Sequence, residues 1–259
     1  MSDRTERVKI RIEGLSKTFL TEQGRRLDVL RGVTAEIYAH EFVALIGPSG
    51  SGKTTLLNLV AGLTLPSAGQ IFVDDRAVLG PGRERGVVFQ QDAILPWRSV
   101  IRNVEYGLEL RGESRATRRQ VAERFLRVVG LERFSDFYPK ELSGGMKKRV
   151  ALAAVFANSP EVLLMDEPFG SLDYPTKLTL QRELLRIWEG ERKTTLFVTH
   201  DLEEALFLAD RVFALNEGTI ESIVDVPFPR PRLDELRVAP EFQDMKRKLW
   251  KYLGSDEPR

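Results

Sequence analysis

The chain has no cysteine. Disulfides, thiol nucleophiles and thiolate metal ligands are therefore excluded, and the composition fits a reducing compartment. An excess of charge of either sign is also missing, with 39 Lys and Arg against 38 Asp and Glu. No bulk field favours DNA or an anionic membrane as the main partner. No apolar run approaches the ~20 residues that cross a bilayer. The polar opening, Met1 to Arg7, lacks the apolar region of a secretory signal. Service to a membrane would run through a partner. Internal repeats and low-complexity segments are absent as well. What remains is a chain of 259 residues, enough for one large domain or two modest ones.

Against these absences stands one glycine-rich stretch, Gly47-Pro48-Ser49-Gly50-Ser51-Gly52-Lys53-Thr54-Thr55. It follows the apolar run Phe42-Val43-Ala44-Leu45-Ile46 and precedes Leu56-Leu57-Asn58-Leu59-Val60-Ala61. The pattern G-x-x-x-x-G-K-[ST] thus sits between a buried strand and a helix, the setting a phosphate-binding loop requires. Glycines let backbone N–H groups curl around an anion, and the positive end of the new helix points at the same spot. Lys53 reaches terminal phosphates, and the Thr54 hydroxyl holds Mg²⁺. A glycine-rich turn that binds nothing would leave the lysine and both flanks unexplained.

Alternation in Val8-Lys9-Ile10-Arg11-Ile12-Glu13 predicts a half-exposed strand, and residues 29–37 continue such a sheet. Gly62 ends the helix after the loop. Residues 67–70 turn into a strand at 71–73, and 86–89 is another short buried strand. From about Gln90 to Pro160 strand-like runs give way to Arg-rich helical segments such as 115–129. A second α/β stretch follows, with strands at 162–165, 194–199 and 211–215 and helices at 176–188 and 202–209. This alternation implies an α/β fold with a mostly parallel sheet and helices on both faces. The helical block reads as an insertion between two halves of one nucleotide-binding core. Residues 227–231, rich in proline, interrupt regular structure. Beyond them Phe242, Met245, Leu249, Trp250 and Leu253 share a helical face. The favoured reading is a helix docked on its own domain; its basic residues leave a regulatory or membrane-surface role open.

Val162-Leu163-Leu164-Met165-Asp166-Glu167 is an apolar strand ending in two acids. Open α/β sheets place ligands beyond the carboxyl ends of their strands. Asp166 would therefore help to hold Mg²⁺, and Glu167 would orient and polarise an attacking water. His200 follows the strand ending Val198-Thr199 and precedes Asp201 at a helix start; a neutral imidazole there hydrogen-bonds a γ-phosphate or the attacking water. His40 has only a structural reading. Gln90 also ends a strand, and its amide can bridge metal or water on one side and a mobile segment on the other. Ser143-Gly144-Gly145, within Leu142 to Met146, opens a further helix and forms a second anion-binding turn. Two phosphate-grasping elements in one chain make sense if the second closes over nucleotide held by another copy.

Together these residues resemble the ATP-binding subunit of an ABC transporter, over about Ile10 to Ile223. Gly47 to Thr54 matches the Walker A motif, Val162 to Glu167 Walker B, Leu142 to Met146 the signature motif and Gln90 the Q-loop. Ser171-Leu172-Asp173 matches the D-loop and His200 the switch histidine. Phe19 resembles the aromatic that stacks on adenine, although an early aromatic also serves as core. The resemblance implies a P-loop NTPase core, with an antiparallel β subdomain and an inserted α-helical subdomain. Its expected bounds are an ATPase domain over 1–226, with core and β subdomain at about 1–89 and 161–226 and the helical subdomain at about 90–160. A tail over 227–259 carries the amphipathic helix.

The cofactors implied are ATP and Mg²⁺, with the nucleotide on Phe19, residues 47–55 and Ser143, Gly144 and Gly145. The metal would lie on Thr54, Gln90 and Asp166, and the chemistry on Glu167, His200 and Gln90. The partners implied are a second copy in a head-to-tail, ATP-bridged dimer, integral membrane permease subunits and, through them, an extracytoplasmic solute-binding protein, with no nucleic acid. That would hold the chain at the cytoplasmic face of a membrane. Met146 stands where the family more often has glutamine. With Ile94-Leu95-Pro96-Trp97 and the tail Pro229-Arg230-Pro231-Arg232, it is similar to the nitrate, sulfonate and taurine importer branch. Pro96 and Trp97 either receive the membrane subunit or pack within the helical block, and Arg111, Arg115, Arg118 and Arg119 read as a solvated face. Other tasks for such an ATPase are lipid transport, export and cell-division signalling. A soluble clamp in translation or DNA repair usually carries two cassettes or a long coiled coil, and a simple P-loop kinase would leave the signature and His200 unexplained.

Overall fold

The computed structural model describes residues 7–91, 93–170 and 172–253. Ser171 of the segment matched to the D-loop and most of the polar opening lie outside the described residues. In chain order the strands and helices are β1 (Val8–Leu20), β2 (Arg26–Tyr38), β3 (Phe42–Ile46), α1 (Lys53–Ala61), β4 (Ala68–Val73), β5 (Arg76–Ala77) and β6 (Arg85–Val88). Then come α2 (Val100–Leu110), α3 (Arg115–Val128), α4 (Gly144–Ala157), β7 (Val162–Asp166) and α5 (Tyr174–Glu191). The last are β8 (Thr194–Val198), α6 (Leu202–Leu208), β9 (Arg211–Asn216), β10 (Thr219–Asp225) and α7 (Pro240–Trp250). Among the described residues no helix is long and apolar enough to cross a membrane.

The chain forms two compact units, one of residues up to Gly82 together with those from Lys193 onward, the other of Arg83–Arg192. The first unit holds two sheets. In the antiparallel sheet β2-β1-β4-β5, β1 pairs with β2 through Ile12↔Ala35 and Phe19↔Leu27. β1 runs well past the six-residue alternation in its sequence, because register shifts after Ile12 let it bend without leaving its partner. In the other sheet β3 lies between β8 and β9, parallel to both, while β10 returns antiparallel along β9. Every residue of β3 and of β8 is buried, as expected of parallel strands covered on both faces. Phe42 and Phe197 meet across this pair at 5.8 Å. β10 has no counterpart in the sequence reading; its half-exposed alternation is too weak to separate it from a loop.

The second unit is built on β6 and β7, paired in parallel from Arg85↔Val162 to Val88↔Met165. α2, α3 and α4 pack on one another, with Phe125 and Phe156 stacked between α3 and α4 at 6.4 Å. Trp97, 71% exposed, and Pro96 stand open to solvent, so they do not pack within the helical block. In the tail, α7 docks against α6. Its buried face is narrower than the five-residue stripe in the sequence. Phe242 and Leu249 are buried, whereas Trp250, just before a 3-10 turn at Lys251–Leu253, is 48% exposed.

α1 ends at Gly62, whose φ of 74° is left-handed and whose N–H reaches Leu59 O at 3.1 Å. A Cβ there would stand 2.1 Å from Gly80 O, whereas one at Gly24, with the same φ, would have nothing within 4 Å. Gly62→Ala is expected to destabilise the protein by about 1–3 kcal/mol, clearly more than Gly24→Ala. Urea midpoints of the two variants measure the difference, and equal midpoints would show that the approach of Gly80 costs nothing.

Candidate active site

In the first unit the site starts from β3. Because β3 is parallel to β8 and β9, the loop after Ile46 and the turn after Val198 leave from the same carboxyl edge, on neighbouring strands ~4.8 Å apart. The loop is pressed onto β9: a Cβ on Gly47 would fall 2.0 Å from Leu215 O. Gly52, the N-cap of α1 at φ 104°, is also confined: a Cβ there would stand 2.8 Å from Leu30 Cδ2 and 3.0 Å from Val29 O. Any side chain at either position would push the loop off its supports. Lys53 is buried and bends back over the loop, its Nζ donating to Gly47 O and Pro48 O, both at 2.8 Å. Ser51 Oγ is buried with no hydrogen-bond partner among the described residues. An unsatisfied buried hydroxyl costs about 1–3 kcal/mol, so a donor aimed into a glycine-walled loop fits a phosphate, which would accept from it. Thr54 and the tip, Ser49 and Gly50, are exposed.

His200 is exposed at the adjoining strand exit. The residues on either side of it are locked. Thr199 Oγ1 donates to the buried Glu204 carboxylate and accepts from Asp201 N at 3.0 Å, while Asp201 Oδ1 accepts from Glu203 N at 2.8 Å and Glu204 N at 3.3 Å. Phe19 stands on the other sheet, 40% exposed, and pairs with Leu27 three positions before the Leu30 that touches Gly52. Lys17 Nζ lies 4.8 Å from the centroid of the Phe19 ring and donates to Leu65 O at 2.7 Å. One face of that ring therefore carries a tethered cation, worth about 0.5–1 kcal/mol where exposed.

In the second unit Gln90 and the pair Asp166 and Glu167 leave the parallel strands β6 and β7 at their common carboxyl edge. Gln90 Nε2 donates to Glu167 Oε2 at 3.4 Å. Asp166 is buried. Glu167 has φ 42°, a left-handed conformation uncommon outside glycine, and strain of this kind gathers at functional positions. Its carbonyl accepts from Gly170 N at 3.2 Å, which closes the turn. Lys148 carries no signal of its own in the sequence. Its neighbours in the run Lys147-Lys148-Arg149 suggest a solvated face, and only the register of α4 turns it inward. It is 1% exposed and donates to Phe89 O at 2.9 Å and to Gln90 O. A buried amine thus anchors the backbone at Gln90.

Ser143 caps α4, its Oγ accepting from Met146 N at 3.3 Å, and Ser143 and Gly144 lie at the surface. Gly145 faces the start of α5: a Cβ there would meet Thr176 Cγ2 at 3.1 Å and Leu172 Cδ2 at 3.6 Å. Asp173 caps α5 by accepting from Thr176 N at 3.2 Å. Hydrogen bonds from the Thr176 side chain and backbone hold its carboxyl below the usual range. The second unit thus brings the Ser143 turn against Leu172, and Gln90 against Glu167. The first sets His200 beside the loop strand. Among the described residues no group of three or more His, Cys, Asp or Glu gathers as a metal site. Mg²⁺ fits such a chain because it takes one or two protein ligands and completes its shell with phosphates and water.

Known proteins resemble this chain in sequence and in fold. Residues 30–170 match the family described as ABC transporter. The nitrate import ATP-binding protein NrtD of Synechocystis sp. is 46% identical over 241 residues, 90% of each chain. The taurine import ATP-binding protein TauB of Rhizobium johnstonii is 40% identical over 255 residues, 96% of this chain and 97% of the relative. A solved ATP-binding cassette, a dimer in a post-hydrolysis state bound to ADP and Pi, superposes with a TM-score of 0.77 at 31% identity, over 85% of this chain and 100% of that one. Matched over residues 30–170 and 40–46% identical to relatives that span nearly its whole length, the chain belongs to the ABC transporter family as one of its ATP-binding proteins.

Proposed function

We propose that the chain binds and hydrolyses ATP to power an importer for a small anion such as nitrate, a sulfonate or taurine. The loop after β3 carries the ATP part of this reading: Lys53 is folded over two loop carbonyls, and Ser51 Oγ is buried without a partner. The transported class follows the names of relatives that span nearly the whole chain.

Residues 47–55 hold the phosphates, with Lys53 placing its charge against them. Phe19 takes the adenine on the ring face away from Lys17. Thr54, Gln90 and Asp166 serve Mg²⁺, which neutralises phosphate charge when bound. Glu167 orients and polarises the attacking water and holds its proton. Gln90, hydrogen-bonded to Glu167 in this structure, takes part in sensing whether the γ-phosphate is present. His200 hydrogen-bonds that phosphate or the water. A second copy supplies Ser143, Gly144 and Gly145 to the first copy's nucleotide, so ATP favours the closed pair and hydrolysis releases it.

To the membrane partner we assign a surface in the second unit. A groove of about 580 Å³, more apolar than polar, is lined by Val87, Phe89, Ile94, Leu95, Tyr106 and Gly107 among others. The exposed Pro96 and Trp97 follow directly. A permease helix seated there would hold the chain at the cytoplasmic face of the membrane, with the solute-binding protein on the far side. Lipid transport, export or cell-division signalling would use the same ATPase; purification from membranes with a permease and a solute-binding protein separates import from these.

Two outcomes are expected. Glu167→Gln should retain ATP, lose about 10²–10⁴-fold in turnover and accumulate as a dimer by light scattering; a monomeric, fully active variant refutes the role of Glu167. Lys53→Ala should weaken ATP binding about 10–100-fold, the worth of one or two charge-assisted hydrogen bonds, as titration calorimetry would read. Unchanged binding would remove Lys53 from the phosphate site.

A further inference from the structure

α6, which follows His200, is only seven residues long. A helix of two turns does not hold itself together in water, and its last four carbonyls have no partner within the helix. Helices commonly close this gap with a left-handed glycine, but α6 ends at Ala209 in an extended conformation. The C-terminal segment supplies the missing donors. Arg232, buried in the first unit, donates through Nη1 to Leu206 O at 3.1 Å, Phe207 O at 3.1 Å and Ala209 O at 2.7 Å. Arg230 Nη2 donates to Leu208 O at 2.6 Å. All four terminal carbonyls thus face guanidinium groups from the tail, which also set positive charge at the negative end of the helix. Arg230 holds Asp210 as well, at 3.0 Å, and Asp210 Oδ2 accepts from Phe42 N at 2.9 Å, at the start of the strand that leads into the phosphate loop.

The tail grips the other end of α6 too. Arg237, buried, lies 3.7 Å from the centroid of the Phe207 ring and donates to Glu203 Oε1 at 2.9 Å. Lys246, on α7, donates to Glu203 Oε2 at 3.3 Å. Glu203 is three residues from His200 in the first turn of α6, and its N–H is bonded to the Asp201 carboxylate. α7 is kept in place by buried Phe242 and Leu249, with Phe242 against Phe228 at 5.5 Å. Nothing in the Walker or signature motifs requires this second set of contacts.

We propose that the segment from Arg230 to Lys246 is a brace that sets where His200 sits, with Arg232 and Arg237 as positioning residues for ATP hydrolysis. They touch no nucleotide; they fix the short helix whose first turn fixes the histidine. This rests on the reading that His200 acts in hydrolysis.

The test uses the full-length chain. The sequence has two histidines, so the imidazole resonances of His200 and His40 are read separately, with His40 as an internal control. Arg237→Met and Glu203→Gln should each shift the His200 resonances and leave those of His40 in place. Each should lower single-turnover hydrolysis about five- to fifty-fold, with ATP affinity changed less than threefold. In a His200→Ala background, Arg237→Met should add less than a twofold further loss, because coupled residues do not act additively. If Arg237→Met fails to fold, Arg232→Lys, which keeps the charge and loses donors, takes its place with the same expected result. An unmoved His200 resonance, or a loss of equal size with and without His200, overturns the brace. If His200→Ala hydrolyses ATP at the parent rate while Arg237→Met still moves the imidazole, the brace stands and the role of His200 in hydrolysis falls.

Discussion

The close approach of Gly47 to the carbonyl of Leu215 is the contact on which the proposed nucleotide site depends. It leaves no room for a side chain where the chain leaves β3. Gly52, squeezed between Val29 and Leu30, then decides where the helix starts and so where Lys53 emerges. The lysine folds back onto the carbonyls of Gly47 and Pro48 because the loop presents them there. Sterics at two positions without side chains thus help to set the place of the positive charge proposed to meet the phosphates.

Much of this was legible in the amino-acid order. The glycines and Lys53 are spaced as a phosphate loop demands, the all-apolar runs at β3, β7 and β8 announce buried parallel strands, and Asp166 and Glu167 end one of them. Other features need three dimensions. The hydrogen bond from Gln90 to Glu167 joins residues 77 positions apart and depends on β6 and β7 being neighbours. The left-handed backbone of Glu167 has no sequence signal, since a glutamate carries none of the freedom of glycine. Lys148 looks like any surface lysine until the register of α4 turns it inward. The bonds of Arg230 and Arg232 are equally hidden, because basic residues among prolines read as a loop.

Within each unit the candidate residues are therefore held by several kinds of force. Apolar burial keeps the strands parallel and their carboxyl ends together. Hydrogen bonds at turns fix individual side chains: Thr199 and Asp201 around His200, Lys148 under Gln90, Ser143 at the head of α4. Guanidinium groups close the end of α6 where a glycine is missing. Surface ion pairs such as Arg119 with Glu123 contribute little beside these, about 0.3–0.5 kcal/mol.

The first compact unit is discontinuous, and that has a consequence for synthesis. β3 is wholly apolar and flanked on both sides by β8 and β9, which follow it by roughly 150 residues. At the ~5–20 residues per second of a working ribosome, about eight to thirty seconds pass between its appearance and theirs. Through that interval a five-residue greasy segment with two open edges exists in the nascent chain, the kind of surface that invites aggregation. The topology therefore leaves β3 without either neighbour until most of the chain has been made.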